Sequence, residues 1–539
     1  MTNNGTTPET TAGAEAPRDP RRWWVLAVMS IGTLIVFLDL TVVNTALPAI
    51  SQDLKATTSD LQWVVDSYVL VLAGLLILAG SIGDRYGRKR WMTAGLLFFA
   101  VGSAIGGLAN SIPTLIAGRA VQGLGAAFVL PATLSIVTNA FPREERGKAI
   151  AVWTAVGGMG IGLGPAVGGY LVDRWDWSAA FWIHMPIILI ALIGQRVVAE
   201  SRDGRQVGLD IPGAATATLG ISTLVFGVIQ GTEEGWTSPL ILGSFAASAA
   251  LLFAFVQIEL RTDHPMLPLH FFKRRDFTGS VLVIGLLFFA GPAVFFFMTQ
   301  FFQIVQGRDP FEAGLLILPN ALAIVAASAV APSLGRTLGL RRTVMLATSI
   351  MAVSLLLFTG IDANWTAGTE IALIMLFGFG FGLGMPSLTD AIMASVPVED
   401  AGVGSAVNDV SRELGSALGI AILGSFVNGL YRSDVQDQLA GQVPEEAIEI
   451  AREGIGVIAA SAGSLSPEVA QTTFETASAS FVDAMSGGFY LGAGILGVAA
   501  VIAAVLLPRT ASSIQAERVG PEAGTTGPID VIEAEVVGV

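Results

Sequence analysis

Cysteine is absent from the 539-residue chain, so neither disulfides nor thiolate metal sites are available. Histidine is almost as scarce. His184, His264 and His270 are the three present, and their spacing makes no ligand cluster. Charged residues make up 13% of the chain, about half the share usual in soluble proteins. With 53% hydrophobic residues and a mean hydropathy of +0.67, this excludes a soluble fold. No GxxxxGK[ST] loop occurs: Gly147-Lys148-Ala149 lacks the upstream glycine and the hydroxyl of a phosphate cradle, which argues against ATP as an energy source in this chain. No grouping of nucleophile, base and oxyanion donors suggests an enzyme. No cofactor is expected.

What is present is a succession of apolar runs long enough to cross a bilayer. They fall near residues 23–47, 62–82, 91–109, 112–137, 149–172, 179–199, 212–230, 238–259, 277–302, 313–332, 342–360, 369–395, 402–430 and 484–507. The expected fold is an all-α polytopic membrane protein of fourteen spans with both termini cytoplasmic. Residues 1–22 form a polar tail that ends in Arg21-Arg22 before an interfacial Trp23-Trp24. A six-span bundle is expected over 23–200, a linker and two inserted spans over 201–275, a second six-span bundle over 276–508, and a polar tail over 509–539. No small-residue cleavage site follows the first apolar run, so that run reads as a retained span.

The cations test this layout. Of the 29 Lys and Arg, five fall in segments assigned outside (Lys55, Arg174, Arg308, Arg432, Arg452) and two within spans (Arg119, Arg412), which leaves 22 on the cytoplasmic side. That asymmetry is the one expected of a correctly oriented polytopic chain. The net charge of −14 resides mostly outside the spans and reads as a solvated acidic exterior. The long outer segment 431–483 carries two helix starts, Val443-Pro444-Glu445-Glu446 and Ser466-Pro467-Glu468. Two amphipathic helices are expected there.

The stretch GSIGDRYGRKR, residues 80–90, gathers Asp84, Arg85, Arg88, Lys89 and Arg90 between two apolar runs and must lie in water on the cytoplasmic side. Gly80, Gly83 and Gly87 permit a tight turn and close approach to a neighbour. This loop resembles the signature between the second and third spans of the major facilitator superfamily. SLGRTLGLRR, residues 333–342, holds the corresponding place in the second half, with Arg336 where a carboxylate would be expected. Two six-helix repeats with a two-span insertion are implied. Over roughly residues 23–508 the chain resembles the fourteen-span drug:proton antiporters of that superfamily, which include the EmrB and QacA types.

Asp39 lies about two-thirds of the way across the first span, in FLDLTVVNTALP. A charge at that depth costs about 2.5–3.5 kcal/mol or more unless it faces the interior and finds a partner. Asp39, Asn44 and Pro48 together resemble the first-span motif of the fourteen-span antiporters. Arg119, with Gln122 and Gly123, resembles their fourth-span motif. A buried guanidinium needs a carboxylate, and Asp39 is the best partner for it. Asp66, near the outer end of the second span, is either a second acid suited to a cationic substrate or a hydrated interfacial residue. His184 opens the sixth span where relatives usually have Asn; it is either a proton acceptor or the keeper of a hydrogen bond.

In the fifth span, Gly160, Gly164 and Gly168 share one helical stripe, and Pro165 permits a bend. Either packing alone or, as the whole Gly-Pro-x-x-Gly-Gly pattern through Gly169 resembles, the antiporter motif accounts for them. Asp390, near the inner end of its span, is a cation contact or an interfacial acid. Asp409, Arg412 and Glu413 have spacings that permit local pairs; by the resemblance they would join residues 80–90 in a cytoplasmic latch.

The expected function is proton-coupled export of lipophilic, cationic compounds, with Asp39, Arg119, Asp66 and His184 in proton coupling and Asp39, Asp66, Asn44, Gln122 and Asp390 as substrate contacts. The alternative is a dedicated exporter of an endogenous lipid, antibiotic or secondary metabolite. A monomer in the cytoplasmic membrane of a prokaryote is expected, surrounded by lipid, with a small-molecule substrate and no nucleic-acid partner.

Overall fold

The computed structural model describes residues 20–56, 58–202, 210–262, 265, 267–308, 310–361, 365–461 and 465–508. His264, both tails and most of the linker after residue 202 lie outside the described residues. The described chain is helical throughout: α1 (Arg22–Leu54), α2 (Thr58–Tyr86), α3 (Arg88–Gly107), α4 (Ile112–Ala140), α5 (Arg143–Arg174) and α6 (Ala179–Val197) make the first half. The inserted pair is α7 (Ile211–Glu234) and α8 (Pro239–Glu259). The second half begins with α9 (Arg275–Gln300), α10 (Pro310–Leu338), α11 (Leu340–Phe358), α12 (Ala367–Ser395) and α13 (Ala401–Leu439). Two short helices, α14 (Glu445–Glu453) and α15 (Ile455–Ser461), precede the last one, α16 (Pro467–Leu506).

Among the described residues, 13 helical segments are long and apolar enough to cross a membrane. The fourteenth expected span is α3. Its 20 residues reach about 30 Å at 1.5 Å per residue, and its hydropathy is diluted by Arg88, Lys89, Arg90 and several glycines. It packs closely along α4 in the first bundle, from Gly95 against Gly125 to Gly106 against Gly118.

Local sequence explains the breaks. Pro186 has no N–H to give and its ring crowds the carbonyl four residues back, and α6 is interrupted by a turn at Ile183. Asp210, Ser238 and Thr366 cap α7, α8 and α12 by accepting from backbone N–H groups of the first turn. Gly87 and Gly339, with φ of 115° and 80°, make the abrupt junctions from α2 to α3 and from α10 to α11. The same device at the same place in each half is the internal repeat in its plainest form.

The packing repeats as well. α1 lies on α5, and α2 and α3 lie on α4; in the second half α9 lies on α13, and α10 and α11 lie on α12. The two halves meet crosswise, α2 against α13 and α5 against α10. Both seams run on small residues. A Cβ on Gly80 would sit 2.5 Å from the Gly402 carbonyl oxygen, and one on Gly162 would sit 2.6 Å from Ala321 Cβ. The inserted α7 packs on α2 and α13, at the edge of one seam, while α8 turns Phe253, Leu240 and Leu242 outward.

The outer segment departs from expectation in one respect. α14 begins after Pro444 as expected, but the helix that begins at Pro467 does not stop before the last span; it continues unbroken to Leu506. Nothing between Glu468 and Ala484 can end a helix, so the change in hydropathy there marks a membrane boundary and not a helix boundary. α13 overruns in the same way to Leu439. Tyr431 Oη donates to the Ala451 carbonyl at 2.8 Å and meets Phe481 edge-on, which ties both extensions and α14 together.

The glycine stripe of α5 faces α1. Gly160 lies against the Leu34 carbonyl and Leu38, while a Cβ on Gly164 or Gly168 would overlap the hydroxyls of Thr41 and Thr45. Gly169 faces away, with nothing within 4 Å. Gly164→Val is expected to lower unfolding stability by about 1–3 kcal/mol through overpacking, read as thermal unfolding of the detergent-purified protein. Thr41→Ala in the same chain is expected to recover at least part of that loss.

Candidate functional site

The centre of the first half is a buried polar network around Asp39. Arg119 Nη1 lies 2.6 Å from Asp39 Oδ2, and Gln122 Nε2 donates to Asp39 Oδ1 at 3.1 Å. Arg119 Nη1 also donates to Gln122 Oε1 at 3.0 Å and its Nε to the Val64 carbonyl at 3.1 Å. Gln122 is fixed in turn by Ser103 Oγ at 2.9 Å. The guanidinium lies over the Tyr68 ring, 4.4 Å from its centroid. α1, α2, α3 and α4 each contribute to holding this one charge pair, and both partners are buried. Buried charges persist when paired and hydrogen-bonded in this way.

His184 adds a third titratable group. Its Nδ1 lies 3.1 Å from the Phe181 carbonyl, and its Nε2 lies 3.6 Å from Asp39 Oδ1 with no hydrogen-bond partner. A carbonyl can only accept, so Nδ1 carries the proton in that contact. Nε2 then offers Asp39 a lone pair when the ring is neutral and an N–H when it is charged. The two sequence readings of His184 are therefore compatible: it keeps a backbone hydrogen bond and faces the carboxylate.

The other acids are placed elsewhere. Asp66 is two residues from both Val64 and Tyr68, which face Arg119, so it projects about 200° round α2. It lines a small groove with Trp63, Phe226, Ile229 and Gln230, between α2 and the inserted α7. Asn44 is exposed and lies outside the network. Asp390 sits by the cytoplasmic end of α5: a Cβ on Gly147 would be 3.5 Å from its Oδ2, and Arg146 is its charged neighbour. The sequence grouping of Asp66, Asn44 and Asp390 with Asp39 is thus not the grouping in space.

At the cytoplasmic seam, Asp84 accepts from the backbone N–H of Gly402 at 2.8 and 2.9 Å and of Val403 at 3.1 Å. These are the first turn of α13, where free N–H groups and the helix dipole favour an anion. Arg88 Nε donates to Asp84 Oδ1 at 2.7 Å, and its Nη2 reaches the carbonyls of Val398 and Glu399 at 2.8 and 3.1 Å. Lys89 Nζ reaches the Val198 carbonyl at 2.8 Å, and Glu200 accepts from the backbone N–H of Lys89 and Arg90. Arg85 ends α2 beside this cluster.

One expectation is corrected here. Asp409, Arg412 and Glu413 are not part of that contact; Asp84 is held by residues 402 and 403. Position 409 is seven residues further along α13, about 10 Å deeper. The expected local pair does form, with Arg412 Nη1 at 3.0 Å from Asp409 Oδ1. Its guanidinium, however, faces Phe37, Trp153 and Phe288, rings from three other helices.

Sequence reasoning missed Ser103, Tyr68 and the Val64 carbonyl. Ser103 follows Gly102, where a Cβ would sit 2.5 Å from the Gln122 backbone nitrogen; a polar residue beside a glycine that permits so close an approach is the available signal. A backbone carbonyl offers none. Among the described residues there is no group of His, Asp or Glu arranged to hold a metal ion.

The model of the Major Facilitator Superfamily matches residues 29–420. The multidrug efflux pump LfrA of Mycolicibacterium smegmatis is 34% identical over 511 residues, covering 93% of this chain and 99% of its own. The multidrug resistance protein Stp of Mycobacterium tuberculosis is 33% identical, covering 78% of each chain. The methyl viologen resistance protein SmvA of Salmonella typhimurium is 30% identical, covering 86% of this chain and 93% of its own. Two solved structures share the fold: the human organic anion transporter MFSD10 (TM-score 0.56, 16% identity, 89% and 100% coverage) and the proton:xylose symporter XylE (TM-score 0.59, 14% identity, 93% and 99% coverage).

Removing one partner of the buried pair strands the other. Arg119→Ala is expected to destabilise the protein by about 3–5 kcal/mol, measured by thermal unfolding in detergent. Combining it with Asp39→Asn is expected to recover part of the loss, because no uncompensated charge is then left inside.

Proposed function

The chain belongs to the major facilitator superfamily and is a relative of its drug-efflux pumps, and from that premise we propose that it exports lipophilic, cationic compounds in exchange for protons by alternating access. As a member of a transporter family it is a multi-pass membrane protein and not an enzyme. The observation that carries the proposal is the Asp39 carboxylate, buried midway along a span and shared between Arg119, Gln122 and the Nε2 face of His184. A carboxylate so placed can take a proton or balance an organic cation, and one negative charge cannot serve both at once. That exclusion couples their opposite movements.

Protonation of Asp39, directly or by way of His184, cancels the charge that holds Arg119. The guanidinium is then left with the Val64 carbonyl, Gln122 and the Tyr68 ring, and α1 is free to move relative to α4. Export is driven by the proton gradient, each charge moved being worth about 2.3 kcal/mol per 100 mV. The crosswise seams supply the two gates. The α2–α13 seam, locked by Asp84 on Gly402 and Val403, closes the cytoplasmic side, and Asp390 beside Gly147 adds a second contact there. The α5–α10 seam, with the Gly160 stripe allowing α5 to lie close on α1, serves the outer side. Both halves of one chain contribute to both gates, which supports a monomeric working unit. The bacterial relatives support the cytoplasmic membrane of a prokaryotic cell as the location, and the 22 cations on one side support the orientation.

The test is transport in proteoliposomes with an imposed pH gradient. The wild-type protein is expected to move ethidium or tetraphenylphosphonium against a counterflow of protons, and Asp39→Asn is expected to lose the proton flux while remaining folded. Absence of transport of every lipophilic cation tried would favour a dedicated exporter of one lipid or metabolite.

A further inference from the structure

Arg412 is a second buried guanidinium, and its surroundings differ from those of Arg119. The side chain is 2% exposed, Nη1 makes one bond to Asp409 Oδ1, and Nε has no hydrogen-bond partner. Asp409 Oδ2 has none either. In place of acceptors, the guanidinium carbon faces three rings, 4.9 Å from the centroid of Phe37, 4.8 Å from that of Phe288 and 5.9 Å from that of Trp153. A group with five donors thus has Asp409 and Glu413 as charged neighbours and otherwise faces aromatic rings. Trp153 is itself anchored, its Nε1 donating to Thr133 Oγ1 at 3.2 Å.

The rings come from both sides of the molecule. Phe37 is on α1, two residues before Asp39, and Trp153 is on α5; Phe288 is on α9 and Arg412 on α13. The cage therefore assembles where the two halves face each other. Aromatic cages of this kind bind quaternary ammonium groups, and a lipophilic cation lacks the N–H donors that a hydrogen-bonding site would require.

We propose that Phe37, Trp153 and Phe288 form the aromatic part of the substrate site and that Arg412 fills it as a tethered cation when no substrate is bound. An incoming lipophilic ammonium or phosphonium cation displaces the guanidinium, which turns toward the unpaired Oδ2 of Asp409. Substrate and Arg412 compete for the same rings, so only cations that bind aromatic surface better than a guanidinium does gain entry. This keeps the site closed to small hydrated cations and prevents an empty, collapsed cavity. The inference rests on the cation-export reading above and names the residues that meet the cation.

Equilibrium binding of tetraphenylphosphonium to the full-length protein in detergent, at fixed pH, tests it. Removing the competitor by Arg412→Ala or Arg412→Met is expected to tighten binding about tenfold or more, since a cation then displaces nothing. Phe288→Leu is expected to weaken binding by a similar factor in the wild-type and in the Arg412→Met background. Thermal unfolding identifies the folded variants, and Phe288→Leu decides if neither Arg412 variant folds. Unchanged or weaker binding in folded Arg412 variants, or wild-type binding in Phe288→Leu, would overturn the inference while leaving cation export intact. Absence of binding in the wild type and in every variant would instead remove the cation-export reading on which it rests.

Discussion

A carboxylate in the middle of a membrane helix is the constraint from which the first half of this molecule is built. Asp39 cannot be hydrated where it stands, so it must be neutralised, and Arg119 does this only because α4 is drawn close enough to α1. That approach needs Gln122 and Ser103 to take the remaining lone pairs and donors, and it needs α3 to lie against α4 with little between them, which Gly102 permits. The Val64 carbonyl and the Tyr68 ring complete the enclosure from α2. Removing the charge would leave Arg119 with only neutral acceptors and take from α1 its charged tie to α4. A network of this kind is stable in one protonation state and strained in another, which is the property a coupled transporter requires.

The second half carries no counterpart of Asp39 at the same place. Among its buried charges, Arg412 and Asp409 on α13 pair locally, and the guanidinium faces aromatic rings. The two halves thus share topology, packing and the glycine junctions at Gly87 and Gly339, but differ in their buried charges: the Asp39–Arg119 pair in one, the ring-facing Arg412 guanidinium in the other. Because α2 meets α13 and α5 meets α10 on small residues, each seam can close tightly or slide without large side chains having to repack. Asp84 on the first turn of α13 fastens one seam by charge and helix-end geometry, a contact that is lost as soon as the two helices part.

Much of this was legible in the sequence. Span number and orientation follow from apolar length and the sorting of cations, two signals that do not depend on how helices pack. The Asp39–Arg119 pair was legible because two isolated buried charges of opposite sign constrain each other, and Asp84 because a carboxylate beside a glycine-rich turn suits a helix N-terminus. Asp66 and Asp390 were less so: depth along a span can be read from sequence, but the face of the helix that meets the interior depends on neighbours far away in the chain. The cage around Arg412 lay out of reach for the same reason, since its rings come from α1, α5 and α9. The continuous run from Pro467 to Leu506 was hidden by a change in hydropathy that the helix itself ignores.

The central claim is that a proton and an organic cation exclude each other at Asp39. Infrared difference spectra of the purified protein, recorded at constant pH as tetraphenylphosphonium is added, read this directly through the carbonyl band of a protonated carboxyl group. Loss of such a band in the wild type, with no corresponding change in Asp39→Asn, is the predicted result. A spectrum with no carboxyl change despite saturated binding, or the same change in Asp39→Asn, would contradict the account.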